Sequence, residues 1–266
     1  MRLFVILFSA GYSSRFRNSY KKDIPKPLIP FFYKKLIDIH LFNLLNLKSF
    51  NIKSVKVYIN LHYKAFEIFK YVNENYSEYT ENGVINFLFE PNLLGHIKTI
   101  NKLKSYILHS DLFLMINCDS LIFDFKNYFN IMLDVLLNYQ VDNIILVSNK
   151  KVEQDKKTYT HFEFQDSFSV KFKNISIKVY KVKDIYKNEI EVNNYLNLYI
   201  GYSLFKITRN FNNILLSPGF KELNFIDFFK KVNLYSIKVS NFFEVTELKD
   251  YLSLINFYLF SYKYYF

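Results

Sequence analysis

Phe8-Ser9-Ala10-Gly11-Tyr12-Ser13-Ser14-Arg15-Phe16, followed after a polar loop by Pro25-Lys26-Pro27-Leu28-Ile29-Pro30, is the stretch on which the fold turns. The apolar run before it, residues 3–8, has the composition of a strand buried on both faces. A small-residue turn, an arginine, and a lysine held between two prolines come next. Short side chains let backbone N–H groups approach phosphate oxygens, and Arg15 and Lys26 add fixed positive charge. The segment therefore reads as an anion cradle placed directly after a first buried strand.

Outward from this loop the chain alternates. Strand patterns at 3–8, 54–60, 84–89, 112–117 and 143–148 are separated by helical patterns at 36–47, 63–76, 94–108 and 128–139. Such alternation predicts right-handed βαβ crossovers. The fold class is α/β: a Rossmann-like, predominantly parallel mixed sheet with helices on both faces. Ligands of such sheets sit at the carboxyl ends of the strands, where the first loop, Gly95 and Asp119 all lie. The second half differs. Residues 150–157 form a charged, turn-prone link, and 159–182 alternates in the manner of antiparallel hairpin strands. A strand at 195–205 containing Gly201, a short helix at 225–232, a strand at 235–239 and a closing helix at 248–260 follow. We read one domain of two halves, 1–125 carrying the anion cradle and 126–266 carrying an antiparallel extension.

Composition narrows the function classes. The 266 residues are 50% hydrophobic, enough for a sizeable core, and carry 30 Phe, 23 Tyr and no Trp. The formal net charge of +11 favours anionic ligands, but the lysines are dispersed rather than gathered in a stripe, which argues against a nucleic-acid partner. Cys118 is the only cysteine, so no intrachain disulfide forms and a reducing compartment is expected. The apolar start is the first strand rather than a secretory signal, and no stretch reaches the roughly 18 apolar residues of a membrane helix. A cytoplasmic protein without membrane insertion is the expectation. The aromatic tail, residues 257–266, would be awkward if exposed and raises the possibility of a homo-oligomer.

Five ordered segments carry a resemblance to a known family. Gly11-Tyr12-Ser13-Ser14-Arg15 with Pro25-Lys26 resembles the G-x-G-[ST]-R and P-K motifs of the nucleotidyltransferases that make sugar nucleotides; Ser13 stands at the family's second glycine. Asn60-Leu61-His62-Tyr63 resembles N-x-H-[YH], although His62 taken alone reads as a packed or surface histidine. Glu90-Pro91-Asn92-Leu93-Leu94-Gly95 resembles the start of E-x-x-L-L-G-T-A-G, with His96, Ile97 and Lys98 in place of the three small residues that end it. Asn117-Cys118-Asp119 resembles N-x-D; alone, Asp119 would serve equally as a helix N-cap. Phe242-Phe243-Glu244-Val245-Thr246-Glu247-Leu248-Lys249-Asp250-Tyr251 resembles F-I-D-I-G-T-P-E-D-Y.

The resemblance, nearest the mannose- and heptose-1-phosphate guanylyltransferase-like branch, implies condensation of an NTP with a sugar 1-phosphate to a nucleotide sugar and pyrophosphate. It implies Mg²⁺ held by Asp119 and Glu244, and catalytic charge from Arg15 and Lys26. Nucleotide contacts are implied for Ala10, Gly11, Ser13, Ser14, Glu90 and Gly95. His96, Ile97 and Lys98 are large beside a base and would either reshape the pocket or close it. No acceptor-phosphate lysine stands out among Lys173, Lys178, Lys181 and Lys183. Two alternatives stay open: a cytidylyltransferase for phosphocholine or another small phosphate, and an impaired pseudoenzyme that binds a nucleotide sugar as a regulatory partner. A glycosyltransferase is disfavoured because Asp119 has no paired aspartate beside it.

Overall fold

A computed structural model of the chain describes residues 1–47, 51–151, 159–188, 195–240 and 242–262. In chain order the elements are β1 (Arg2–Phe8), α1 (Ser14–Tyr20), β2 (Pro30–Phe31), β3 (Lys34–Lys35), α2 (Leu36–Leu45), β4 (Ser54–Leu61), α3 (Ala65–Asn75), α4 (Ser77–Glu81), β5 (Ile85–Phe89), α5 (His96–Leu108), β6 (Leu112–Asn117), β7 (Ser120–Ile122) and α6 (Phe125–Asn138). There follow β8 (Asn143–Lys151), β9 (Tyr159–Phe172), β10 (Ile175–Asn188), β11 (Tyr195–Lys206), α7 (Arg209–Leu216), α8 (Phe225–Lys231), β12 (Leu234–Lys238), β13 (Phe242–Glu244) and α9 (Leu248–Tyr262). Most of the charged link at 150–157, and the last four residues of the aromatic tail, lie outside the described residues.

Nine strands form one twisted sheet in the order β5-β4-β1-β6-β11-β8-β12-β10-β9. β1 runs parallel to β4 and β6, β4 to β5, and β12 to β8. β11 is antiparallel to both β6 and β8, and the long β9–β10 hairpin adds the antiparallel extension at the far edge. The α/β class, the mixed sheet and the helices on both faces are as the sequence leads one to expect.

Alternation within β1 explains how both faces are covered. Leu3, Val5 and Leu7 enter a core with residues of α2, α3 and α6, whereas Phe4 and Ile6 enter a second core with residues of α5, α7 and α8. With both faces packed, a one-residue slip of β1 would exchange the two sets and force Phe4 and Ile6 into space shaped for Leu3, Val5 and Leu7, which fixes the register. In α5, Ile97, Ile100, Leu103 and Ile107 recur at helical spacing and are all buried. Among the described residues, no helix is long and apolar enough to cross a membrane.

A third, smaller cluster decides where the site lies. Phe16 of α1, Ile29, Phe31, Leu121 of β7, Val245 and Leu254 of α9 pack together, so the closing helix sits against the first loop. Ser19 Oγ accepts the Leu248 N–H at 2.9 Å across this contact. Helices α1 and α9, far apart in sequence, thus meet beside the loop that follows β1.

Candidate active site

A cavity of about 280 Å³ opens at the carboxyl ends of β1, β4 and β6. Six of the ten residues expected to form a site line it: Ala10, Gly11, Ser13, Lys26, Gly95 and Asp119. The strand ends are locked beneath it, with the Cys118 N–H donating to the Phe8 carbonyl at 3.0 Å. Ser14, Arg15, Glu90 and Glu244 are not part of its lining.

The first loop ends at Ser13, whose backbone is left-handed (φ 56°, ψ 21°), and α1 begins at the next residue. An L-residue rarely adopts this conformation, which glycine occupies at no steric cost. Arg15 accordingly stands on a short helix rather than in a turn, exposed, with no hydrogen bond or ion pair among the described residues. Ser14 is exposed beside it. The Ser13 hydroxyl points the other way and accepts the Lys26 N–H at 3.0 Å.

Lys26 reaches across the cleft and its Nζ lies 2.7 Å from Asp119 Oδ2. Burial pushes the Asp119 carboxyl up, but the charge and hydrogen bond of Lys26, with Arg15 farther away, outweigh it and hold the group below its ordinary value. Asp119 is therefore a carboxylate facing a cation. The backbone of the last motif lies alongside: the Val245 N–H donates to the Asp119 carbonyl at 2.8 Å, and Glu244 pairs with Ser120 in the β7–β13 ladder. Residues far apart in sequence, Asp119 and Glu244, are brought next to one another along this ladder, with Glu244 on its exposed side.

The Asp119 carboxylate in the cavity is the kind of donor that suits a hard divalent ion, whereas Glu244, exposed on the ladder, does not line the cavity. An ammonium already occupies one oxygen of Asp119, and carboxylate oxygens are the donors that Mg²⁺ takes. Among the described residues, no group of three or more His, Cys, Asp or Glu could hold a metal. A bound ion would thus have to complete its shell with water and substrate oxygens.

The wall on the β4–β5 side is a hydrogen-bonded web. Asn60 is buried; its Oδ1 accepts the Ser9 N–H at 2.7 Å and its Nδ2 donates to Glu90 Oε1 at 3.0 Å. Thr99 Oγ1 also donates to Glu90 Oε1, at 2.5 Å, and the Leu94 N–H donates to Oε2 at 3.2 Å. The Glu90 carboxylate is 3% exposed and taken up by protein donors, so it braces the cleft wall from behind. His62 joins two loops: Nδ1–H donates to the Glu90 carbonyl at 2.8 Å, which leaves Nε2 to accept the Tyr12 hydroxyl at 2.9 Å. A neighbouring knot fixes the polar loop before Pro25, where Asp23 meets the Tyr63 hydroxyl, Arg17 at 3.1 Å and Lys64 at 3.1 Å. The Tyr63 hydroxyl, Lys64 and Arg17 together lower the Asp23 carboxyl to about 2.

Of the three large residues after Gly95, His96 forms part of the cavity wall, and Ile97 and Lys98 do not line it. The His96 ring turns against Phe8 and Phe225, with centroids 4.3 and 4.6 Å away, and its Nε2 meets Asn117 Oδ1 at 3.1 Å. Burial lowers its pKa, partly opposed by Asn117. Ile97 enters the core and Lys98 faces solvent.

Several residues that shape the cleft escape the sequence reading. Asn60 and His62 were visible only as part of a motif, and Asn117 only as the residue before Cys118. Gly201 is the clearest omission: its φ is 81°, and a Cβ built there would lie 2.7 Å from Ser120 Oγ and 2.9 Å from Asn117 Cβ. A glycine inside a strand pattern signals close approach of another chain segment, but not which one. Behind the cleft, His40 Nε2–H donates to the Cys118 carbonyl at 3.0 Å, and burial lowers its pKa to about 4.

No protein-family model matches the sequence, and no curated protein is similar to it at the sequence level. Solved structures are similar over nearly the whole chain. A UDP-glucose pyrophosphorylase in its apo form superposes with a TM-score of 0.66 at 17% identity, covering 98% of this chain and 99% of its own. HddC from Yersinia pseudotuberculosis, complexed with GMP-PN, gives 0.64 at 19% identity, with 97% and 100% covered. The CTP:phosphocholine cytidylyltransferase of Streptococcus pneumoniae gives 0.61 at 17% identity, with 97% and 99% covered. The chain has the fold of the sugar-phosphate nucleotidyltransferases, in a divergent sequence.

Proposed function

We propose that this protein is a nucleotidyltransferase that joins a nucleoside triphosphate to a small phosphorylated acceptor, a sugar 1-phosphate in the first instance, and releases pyrophosphate. The observation that carries the reading is the pairing of Lys26 with Asp119 across a small cleft, behind a small-residue loop and at the carboxyl ends of β1 and β6. A cation and a carboxylate held opposite each other suit a reaction in which one meets phosphate oxygens and the other a metal.

In this reading an acceptor phosphate oxygen attacks the α-phosphorus as the bond from that phosphorus to the departing pyrophosphate breaks. Positioning and charge neutralisation supply most of the acceleration in such transfers. Lys26 leaves Asp119 to meet the α-phosphate and the attacking phosphate, offsetting their repulsion. Arg15, without a protein partner among the described residues, turns to the leaving pyrophosphate. Ala10, Gly11 and Gly95 border the nucleotide, Ser14 lies at the loop's outer rim, and Glu90 acts through Asn60 and Thr99 on the wall that faces it. Asp119 and Glu244 would hold Mg²⁺, which when bound supplies Lewis-acid stabilisation of phosphate charge. The first half of the chain serves the nucleotide, the second half the acceptor, and the reaction belongs in the cytoplasm, where its triphosphate is found.

The test is a pyrophosphate-release assay with each of four NTPs, Mg²⁺, and a panel of sugar 1-phosphates and phosphocholine. Turnover with one pair supports the proposal and names its substrates. No turnover with any pair, alongside tight binding of a nucleotide sugar, replaces it with a binding protein that uses the same cleft.

A further inference from the structure

We infer that Ser13 is a positioning residue for Lys26, acting through its hydroxyl rather than by touching phosphate. The inference rests on the proposed role of Lys26 at the anion site. Ser13 is 7% exposed and holds a left-handed backbone that favours glycine, so the side chain is kept there at a conformational cost. What the side chain does at this position is visible in its two contacts. Oγ accepts the Lys26 N–H at 3.0 Å and directs its own proton toward the Gly11 carbonyl at 3.4 Å. Of the two, the contact with the Lys26 amide has ordinary hydrogen-bond length, whereas that with the Gly11 carbonyl is long.

The Lys26 amide is the other half of the argument. Pro25 and Pro27 have no N–H, so Lys26 carries the sole backbone donor of that tripeptide, and Ser13 accepts it. The Lys26 carbonyl accepts the Ile29 N–H at 3.1 Å, and the Pro25 carbonyl accepts that of Leu28 at 2.9 Å. With its N–H, its carbonyl and both neighbouring φ angles fixed, the Lys26 backbone is pinned and only its side chain is free to swing between Asp119 and a ligand. A glycine at position 13 would keep the turn but not the acceptor.

The experiment compares wild type with Ser13→Gly, Ser13→Ala and Lys26→Ala. One measurement is calorimetric titration with pyrophosphate in Mg²⁺, and the other is hydrogen exchange of residues 25–30, where three prolines leave amides only at Lys26, Leu28 and Ile29. Both Ser13 variants should exchange the Lys26 amide at least tenfold faster and bind pyrophosphate severalfold more weakly, with Lys26→Ala weaker still. Ser13→Gly keeps the comparison valid should Ser13→Ala misfold, since glycine is at home at positive φ. Unchanged or tighter pyrophosphate binding by Ser13→Gly overturns the inference, whether or not the amide exchanges faster. Unchanged binding by Lys26→Ala overturns instead the anion-site reading on which it rests.

Discussion

The cleft beneath the first loop and the outer antiparallel strands of the sheet use similar residues to opposite ends. In the cleft, Lys26 is shielded, meets a partner 93 residues away and is held by a backbone with a single donor. On the far strands, Lys183 meets Glu163 across the β9–β10 hairpin at 2.8 Å, both exposed, and Lys178 and Lys238 lie 5.5 and 4.7 Å from the centre of the Tyr180 ring. A charge acquires chemical consequence here through confinement by distant segments, not through being a lysine. None of the four lysines considered for the acceptor phosphate lines the cleft cavity.

The sharpest way to break the comparison is to remove the confined pair. Asp119→Ala should lower turnover by two or more orders of magnitude while circular dichroism and the unfolding midpoint stay near wild type, the scale expected when a transition-state charge contact is lost. Lys26→Met offers a second readout without turnover. It frees the Asp119 oxygen that Lys26 now holds, so calorimetric titration with Mn²⁺ alone should show tighter binding than in wild type. Weaker or unchanged binding would separate Asp119 from the metal.

The residues of the cleft were legible from their neighbours: Gly11, Gly95 and Asp119 come after apolar strand patterns, and Lys26 stands between two prolines. The strands themselves were legible because β1, β4 and β6 are too apolar for a surface. What stayed hidden depends on contacts between distant segments. Nothing local marks the three-residue ladder of β7 and β13 that sets Glu244 beside Asp119. The helix α1 is short and lacks a side-chain cap, and its start is fixed by the left-handed Ser13. Glu90 reads as a base contact until Asn60, Thr99 and Leu94 are seen to take its oxygens.

Gly201 tests confinement from the steric side. Alanine there would place a methyl within 3 Å of Asn117 and Ser120 and hold a positive φ, so strain and overpacking should together cost roughly 2–5 kcal/mol in chemical denaturation. Because the displaced groups flank Asp119, Mn²⁺ affinity should fall with stability. A loss of stability alone would mean that the β6–β7 turn absorbs the clash without moving Asp119.

His40 tests it electrostatically. The ring is kept neutral by burial, with its pKa lowered to about 4 from 6.5, while the unfolded chain titrates near 6.5. Between those values the unfolded state binds the extra proton, so His40 favours folding fully above pH 6.5 and progressively less as the pH falls toward 4. The swing should be about 3 kcal/mol at most, and His40→Asn should flatten the stability profile in that window. A profile as steep as wild type would assign the acid sensitivity elsewhere.

The smallest effect is expected on the outer strands, and it is the one that guards the comparison. Glu163 hydrogen-bonds Lys183 and the Tyr186 hydroxyl, and these contacts lower its pKa. Exposure lets water and salt replace such a pair at little net cost. Lys183→Ala should therefore leave the unfolding midpoint, the Mn²⁺ affinity and the KM for the acceptor within error of wild type. A rise in acceptor KM without loss of stability would place Lys183 at the acceptor phosphate. The antiparallel hairpin would then have to close over the cleft during turnover, and confinement of charge would be something the acceptor side acquires on binding rather than something it lacks.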